Sequence, residues 1–165
     1  SMEIERKFLI NMKQLPDNLE SYPHIRLEQA YISTNPVLRI RKKDDVYILT
    51  YKGEGFIKRE EVEFPLQEDS YTHLLTKTDG NIITKTRYLI PDSERTIELD
   101  VFSGAFDGLL LAEVEFPCEE DAYSYQPPTW FGPDVSNEST FHNSTLSQMK
   151  KSDIQELLTN LANRF

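Results

Sequence analysis

The sequence predicts an α+β fold, in which an eight-stranded antiparallel β-barrel forms a tunnel and a few helices flank it. Eight segments alternate apolar and polar residues with the period of two that marks half-buried strands. Gly, Pro, Asn or Asp turn signals bound several of these segments. Eight strands are enough to close a sheet into a barrel. Because the chain of 165 residues contains no Gly/Ser linker, we expect one domain over residues 2–165.

The strands are placed by their alternation and by the turns between them. In the first one, Ile4 and Phe8 face away from Glu5, because residues two apart in a strand share a face. The sequence Pro91-Asp92 is one of the turn signals that separate the later strands. The predicted strands span residues 2–10, 26–33, 36–42, 45–52, 58–65, 82–90, 95–102 and 110–116.

Helices are predicted in the segments between and after the strands, at residues 12–20, 67–78, 119–124 and 144–151 and at about 152–165. The last helix is the best marked, since Ser152-x-x-Gln155 fits the capping-box pattern. Its apolar residues follow helical spacing, namely Ile154, Leu157, Leu158, Leu161 and Phe165. We expect this apolar stripe to pack on the barrel or on a second subunit.

Charged residues recur in pairs two positions apart, so each pair would stand on one face of a strand. The pairs are Glu3 and Glu5, Arg39 and Arg41, Glu61 and Glu63, Lys85 and Arg87, Glu98 and Asp100, and Glu113 and Glu115. A sheet with one wet face also alternates, but its polar row usually mixes residue types, whereas these rows are almost purely acidic or purely basic. Like charges on one face repel and need a counter-charge. The pattern therefore favours a charged barrel interior.

Such an interior has a definite chemistry. With Lys7 and Lys52 added, the inward rows would hold eight acids and six bases. Hard divalent cations such as Mg²⁺ and Mn²⁺ take carboxylate oxygens, and phosphate chains are bound by Arg and Lys. The interior is therefore predicted to bind a tripolyphosphate chain together with divalent metal ions.

Composition excludes other classes of protein. The formal net charge of −10 argues against a general nucleic-acid or membrane-surface binder, since both depend on a basic surface. The lone Cys118 and the absence of a long apolar run favour a cytoplasmic setting. No phosphate-binding Gly-rich loop and no His-rich metal motif is present, so His24, His73 and His142 are expected to be surface or structural residues.

The ordered set of charged motifs resembles the CYTH family, also called triphosphate tunnel metalloenzymes. The resemblance rests on Glu3-x-Glu5-x-Lys7, Arg39-x-Arg41, Tyr51-Lys52-Gly53, Glu61-x-Glu63, Lys85-x-Arg87 and Glu113-x-Glu115. It covers residues 2 to about 150, including the segment 131–135 and Asn143. It implies an eight-stranded antiparallel tunnel that binds triphosphates and divalent metals. Homodimerisation is an expectation at the family level.

The resemblance also implies roles for residues. The metal ligands would be Glu3, Glu5, Glu113 and Glu115, holding two Mg²⁺ or Mn²⁺ ions. The phosphate-binding residues would be Lys7, Arg39, Arg41, Lys52, Lys85 and Arg87. The catalytic set would be Glu5, Lys52, Glu63, Asp100 and Glu115. The tunnel acids Glu61, Glu63, Glu98 and Asp100 could serve a second metal, position water or orient the bases. Relatives often close one tunnel mouth with a C-terminal helix bearing a basic residue, a role open here to Lys150 or Lys151.

The leading functional prediction is metal-dependent hydrolysis of a triphosphate, above all inorganic tripolyphosphate and also nucleoside triphosphates. Three alternatives are an adenylyl cyclase that makes cyclic AMP from ATP, a thiamine triphosphatase, and a non-catalytic polyphosphate-binding module. No Ser, Cys or His lies in a convincing nucleophile setting, so a covalent intermediate is not expected.

Overall fold

The computed structural model describes residues 1–165. Its strands are β1 Met2–Ile10, β2 His24–Thr34, β3 Val37–Lys43, β4 Val46–Lys52, β5 Lys58–Leu66, β6 Asp79–Asp92, β7 Arg95–Ser103, β8 Leu110–Glu115 and β9 Phe131–Asp134. Its α-helices are α1 Glu68–Leu75, α2 Glu119–Ser124, α3 Asn143–Ser147 and α4 Lys151–Arg164. None of the four is both long enough and apolar enough to cross a membrane.

Strands β1 to β8 form the predicted closed antiparallel barrel. Neighbours follow the order β5-β4-β3-β2-β6-β7-β8-β1, and β1 closes the circle by pairing with β5 as well as with β8. All neighbouring pairs are antiparallel. Closure joins the two ends of the eight-stranded sheet at Met2–Ile4 and Lys58–Glu60 and encloses an interior that the strands line with alternate residues.

The ninth strand was not predicted. Strand β9 pairs with the last residues of β1, where Phe8 lies opposite Asp134 and Ile10 opposite Phe131. It has four residues and contains Gly132-Pro133, a dipeptide that is typical of a turn. Gly132 is needed there, because a Cβ at this position would lie 2.6 Å from the carbonyl oxygen of Leu9.

Three helix predictions are wrong in detail. The helix predicted at 144–151 ends at Ser147, and Lys151 already belongs to α4. The segment 12–20 forms two separate 3₁₀ turns, Met12–Gln14 and Leu19–Ser21, because Pro16 disfavours helical backbone at the residue before it. The capping box at Ser152 does not form, since α4 begins at Lys151 and Ser152 lies inside it. Instead, the Lys150 N–H donates to the Asp153 carboxylate at 3.1 Å.

The inward rows of several barrel strands change character along their length. Lys7 is followed two residues on by Leu9, and Lys85 is preceded two residues earlier by Ile83. The apolar ends of these rows form a buried cluster with residues of α3 and α4, called here the apolar plug. Its members are Leu9, Tyr31, Ile83, Phe102, Phe106, Leu109, Leu111, Val135, Phe141, Leu146, Ile154 and Leu161. Helix α4 thus packs on the barrel of its own chain, which is one of the two arrangements predicted for it.

The outward rows form two further apolar clusters. On one side Phe8, Leu99 and Val114 pack with Ala122 of α2. On the other side Ile40 packs with Tyr71 of α1. Because the outward rows are covered by apolar contacts and the plug fills one end, the remaining interior of the barrel is where the charged rows meet.

Candidate functional site

The charged rows meet in a cavity of about 130 Å³ inside the barrel, called here the tunnel. Of the 20 residues that line it, seven are Glu and eight are Lys or Arg. The acids are Glu3, Glu5, Glu61, Glu63, Glu98, Glu113 and Glu115, and the bases are Lys7, Arg39, Arg41, Lys43, Lys52, Arg59, Lys85 and Arg87. All the predicted site residues except Asp100 line this cavity.

Strand register places the acids of β1 and β8 side by side. Glu5 lies directly opposite Glu115, and Lys7 lies opposite Glu113. Carboxylate oxygens of Glu3, Glu5 and Glu115 all lie within 4.8 Å of one another. Like charges on directly opposed positions of a sheet repel, so a cation would stabilise the ionised form of this acidic cluster. Three or more convergent carboxylates form a donor set that suits a hard divalent metal ion.

The pKa values of the acids on β1 and β8 separate carboxylates that nearby bases neutralise from carboxylates that they do not. Burial opposes the ionisation of Glu113, but Lys7 and Arg87 outweigh it and hold its pKa well below the usual range. Burial, Glu113 and Glu3 raise the pKa of Glu5 well above the usual range. Burial and neighbouring acids, Glu98 first, raise the pKa of Glu115 to about 7. The protein therefore leaves Glu5 and Glu115 without a sufficient counter-charge of its own.

Asp100 lies behind the lining and holds two bases. It is fully buried, and its Oδ2 lies 2.7 Å from the Lys85 ammonium. The Arg87 guanidinium donates to both Asp100 oxygens, at 2.7 and 2.9 Å. Burial disfavours the ionised form of Asp100, yet Arg87 and Lys85 lower its pKa below the usual value. Asp100 is thus an ionised anchor that fixes the direction of both cationic side chains.

The two arginines of β3 are held less completely. Arg39 donates to Thr50 Oγ1 at 3.3 Å, and that hydroxyl donates to Glu63 at 3.2 Å. Arg39 Nε is buried without any partner, the one such side-chain atom in the structure. Burial, together with Arg39 and Arg87, lowers the pKa of Arg41 to about 9. An unpartnered buried donor among crowded cations is costly, and an anion in the tunnel would relieve both effects.

Lys85 carries the strongest perturbation among the lysines. Its side chain is 1 % exposed, and burial lowers its pKa to about 7 against the opposing attraction of Asp100. Arg87 and Arg41 add to the lowering because they are like charges. A perturbed buried lysine of this kind is typical of a functional site. Lys85 lies among the bases of β3, β4 and β6, called here the basic wall, which faces the acids of β1, β5, β7 and β8, called here the acidic wall.

Lys52 connects the acidic and basic walls. Its ammonium donates to Glu3 at 3.1 Å and lies 3.4 Å from Glu61. Arg59 lies on the other side of Glu3, with its Nε 3.6 Å away. Although burial raises it, the pKa of Glu3 is lowered overall because of Lys52. This end of the tunnel adjoins an outer cavity of about 960 Å³ that shares Lys52, Arg59 and His142 with it.

Sequence reasoning missed several lining residues. Lys43 and Arg59 each extend a predicted row by two positions, from Arg41 and from Glu61, so the same alternation rule could have found them. Asn143 is uncharged and was named only as part of the family resemblance, since no charge pattern could assign it a role. Gln29, which is fully buried and does not line the cavity, is uncharged as well. Gln29 donates to Asn143 at 3.0 Å, and Asn143 accepts from Lys85 at 2.9 Å.

One prediction stays untested and one is not supported. His142 was expected at the surface or in a structural role, and its ring lines both the tunnel and the outer cavity and packs against the tilted ring of Phe56, with the centroids 5.4 Å apart. Burial and then Lys7, Arg59 and Lys52 lower its pKa to about 4, so the ring is neutral at pH 7. Lys150 and Lys151 are exposed and line neither cavity, because α4 contributes Ile154 and Leu161 to the apolar plug instead.

Comparison with known sequences places these residues in context. The sequence model of the CYTH domain matches residues 1–152. An inorganic triphosphatase of Nitrosomonas europaea is 38% identical over 151 residues, which are 88% of this chain and 96% of that protein. An inorganic triphosphatase of Acetivibrio thermocellus is 29% identical over 148 residues, covering 87% of this chain and 92% of that protein.

Solved structures share the same barrel. The crystal structure of an inorganic triphosphatase superposes with a TM-score of 0.67 at 34% identity, covering 90% of this chain and 95% of that chain. A protein from Hippeastrum, described as a putative adenylyl cyclase with a dominant triphosphatase activity, superposes with a TM-score of 0.58. It is 17% identical and covers 73% of this chain and 82% of that chain, so it supports the fold alone.

Proposed function

The chain belongs to the CYTH family, and we propose that it is an inorganic triphosphatase, which hydrolyses a phosphoanhydride bond of tripolyphosphate inside the barrel. The observation that carries this function is the tunnel, where an acidic wall faces a basic one across a cavity of about 130 Å³. A tripolyphosphate chain is the small molecule that needs many cations for its oxygens and can share metal ions with carboxylates.

The acidic cluster is the proposed metal site. Glu3, Glu5 and Glu115 would hold a divalent cation, since their oxygens converge within 4.8 Å and two of the three carboxylates lack a counter-charge. We propose Mg²⁺ or Mn²⁺, with Glu113 beside them for a second ion. When bound, such an ion withdraws electron density from phosphate oxygens and offsets the negative charge that develops on them during transfer.

The basic wall is the proposed phosphate site. Six residues would hold the chain of phosphates, namely Lys7, Arg39, Arg41, Lys52, Lys85 and Arg87. Asp100 supports this role from behind, since it fixes Lys85 and Arg87 without lining the cavity. Rigidly oriented cations stabilise the transferring phosphoryl group because they need no rearrangement as the charge develops.

Hydrolysis requires one water molecule in line with the terminal phosphorus. The water oxygen forms a bond to phosphorus, while the bond from phosphorus to the bridging oxygen breaks and its electron pair leaves on diphosphate. One proton of the water stays on the phosphate that is released, and the other passes to solvent. Glu63 and Glu115 face the tunnel and could orient this water. Asp100 was predicted among the catalytic residues, and its contacts support the narrower role of positioning Lys85 and Arg87.

Product analysis tests the proposal. Purified protein is offered tripolyphosphate, ATP and thiamine triphosphate separately, with and without Mg²⁺ or Mn²⁺. We expect metal-dependent release of phosphate, fastest from tripolyphosphate. Cyclic AMP and diphosphate from ATP would instead assign a cyclase, and binding of tripolyphosphate without turnover would leave only a polyphosphate-binding protein.

A further inference from the structure

The segment Phe141–Ser144 crosses the tunnel wall and contacts charged side chains from two strands. The Phe141 carbonyl oxygen accepts from the Lys7 ammonium at 3.1 Å. Two residues later, the Asn143 side-chain oxygen accepts from the Lys85 ammonium at 2.9 Å. Asn143 and Ser144 themselves line the tunnel. This segment therefore forms part of the tunnel wall although it belongs to no barrel strand.

Close packing fixes the position of this segment. Phe141 and Leu146 are buried in the apolar plug on either side of Asn143. The Asn81 side chain donates to the backbone oxygens of Leu146 and Met149, at 3.2 and 2.8 Å. At Gly80, an added Cβ would lie 2.1 Å from the Ser147 oxygen, so α3 rests directly on the start of β6. Asn143 is thus held by anchors on both sides.

The orientation of the Asn143 amide follows from a chain of hydrogen bonds. Arg41 Nε can only donate, and it does so to Gln29 Oε1 at 2.8 Å. The other Gln29 atom must then be the nitrogen, which donates to Asn143 at 3.0 Å. Asn143 therefore presents its oxygen to Gln29, and the Lys85 ammonium donates to the same oxygen. Gln29 is fully buried, so water does not compete for these bonds, and its nitrogen lies closer to Asn143 than to the Tyr31 hydroxyl, which is 3.5 Å away.

With its oxygen fixed by two donors, the Asn143 NH₂ group must point away from both. The NH₂ nitrogen has no hydrogen-bond partner in the protein. Arg39 Nε is the one side-chain atom that is both fully enclosed and without a partner, so the Asn143 nitrogen is not fully enclosed. Asn143 lines the tunnel, so its free NH₂ group opens into the cavity. An unpaired amide donor in a cavity lined with Lys and Arg is placed to bind an anion oxygen.

From this geometry we infer that Asn143 is a further substrate-binding residue, whose side-chain NH₂ donates to a phosphate oxygen of tripolyphosphate while its oxygen holds Lys85 in place. The inference rests on the proposed function for the identity of its ligand. It adds a neutral donor to a site otherwise built from charges. A neutral donor contributes direction, because an amide N–H must point at the oxygen it binds.

The test exchanges one atom of this side chain. Asn143→Asp keeps an oxygen for Lys85 and Gln29 but replaces the NH₂ group with a second carboxylate oxygen. The matched control is Asn137→Asp, the same change on an exposed residue of the preceding loop. Binding of tripolyphosphate is measured by isothermal titration calorimetry, and KM and kcat are measured in parallel on the same proteins.

We expect Asn143→Asp to raise Kd and KM at least about tenfold, as expected for a lost hydrogen bond to a charged group, with an unchanged melting temperature. Asn143→Ala should also raise Kd, and Asn137→Asp should change neither constant. The carboxylate of the Asp variant also repels the substrate, so the decisive comparison is Asn143→Ala in the wild type and in a Lys85→Met background. If Asn143 only positions Lys85, Asn143→Ala will leave Kd unchanged in the Lys85→Met background, and that result overturns the inference. The calorimetric readout needs no turnover, so loss of catalysis in the wild type would refute the proposed function and not this inference.

Discussion

The tunnel and the apolar plug are built from the same inward rows of the same strands, yet one is almost entirely charged and the other apolar. On β8 the change occurs between Leu111 and Glu113, and on β7 between Asp100 and Phe102. Backbone geometry and alternation are the same on both sides of this boundary. Alternation therefore determines which face a residue takes, and only the side chain determines whether that face stabilises the fold or binds a ligand.

The two regions should respond oppositely to substitution. Burying charges is costly even when they are paired, and the tunnel buries Glu5 and Arg41 with incomplete neutralisation. The plug contributes apolar burial without such a cost. We therefore expect tunnel substitutions to reduce activity and spare stability, and plug substitutions to do the reverse.

Glu5→Gln should have the largest effect, a fall in kcat of about 10³-fold or more, the scale of losing an electrostatic element of catalysis. The variant removes a carboxylate of the acidic cluster but keeps its size. Its melting temperature without metal should rise, since the raised pKa of Glu5 means that its ionised form is disfavoured in the folded protein. Steady-state kinetics and thermal denaturation in metal-free buffer measure the two effects.

Glu60→Gln is the matched control, since Glu60 is the exposed neighbour of the inward-facing Glu61 on β5. It should change neither kcat nor the melting temperature. Near-normal turnover in Glu5→Gln, with the same metal requirement as the wild type, would remove Glu5 from the metal site. A melting temperature of Glu5→Gln below that of the wild type would show that the tunnel charges stabilise the fold. The tunnel and the apolar plug would then not differ in their effect on stability.

Leu111→Ala tests the plug. Leu111 is fully buried and lies two residues from Glu113 in the same inward row. Truncating it leaves a cavity, and the free energy of unfolding should fall by about 2–5 kcal/mol. The KM of the protein that remains folded should be near that of the wild type. Urea denaturation followed by kinetics below the transition measures both, with the exposed Met12→Ala as the control. A raised KM with unchanged stability would place Leu111 in the substrate site.

The sequence predicted the fold closely because alternation is a local property. All eight barrel strands were located, and α2 was placed with its observed bounds. One error lies where tertiary contact decides the outcome, and another lies where a local signal was overlooked. Strand β9 forms because Gly132 allows the chain to approach Leu9, and its short Gly-Pro sequence gives no strand signal. The first predicted helix failed because Pro16 interrupts it, a local signal that was available.

For the candidate site, charge pattern located the inward carboxylates and bases but not the way they are arranged. Glu98 and Asp100 form one pair in the sequence, yet Glu98 lines the cavity and Asp100 lies behind it. This distinction depends on barrel closure and strand register. Gln29 and Asn143 have no charge signal at all, and they meet because α3 is packed on β6 far along the chain.

Lys52→Ala should mainly weaken substrate binding. Its ammonium lies between Glu3 and Glu61. Its removal takes a positive charge from the phosphate chain and leaves the negative charges of both acids less neutralised. A hydrogen bond to a charged group contributes about 1.5–3 kcal/mol, so KM for tripolyphosphate should rise about tenfold to a hundredfold. Steady-state kinetics measure the change, and Lys58→Ala, an exposed lysine on β5, serves as the control. Unchanged KM and kcat would exclude Lys52 from the site.

Arg59→Ala should have the smallest effect and mark where the tunnel ends. Arg59 lies between the tunnel and the outer cavity and pairs with Glu3 at 3.6 Å, so water screens it more than Lys85 or Arg87. Partly solvated charges contribute about 0.2–1 kcal/mol, and rim charges act mainly on association. The variant should therefore lower kcat/KM by up to about fivefold, more at low salt than at high salt, while the exposed Arg26→Ala leaves it unchanged. A loss as large as that of Lys52→Ala, and insensitive to salt, would mean that Arg59 binds the phosphate chain directly and that the charged region extends through the mouth of the tunnel.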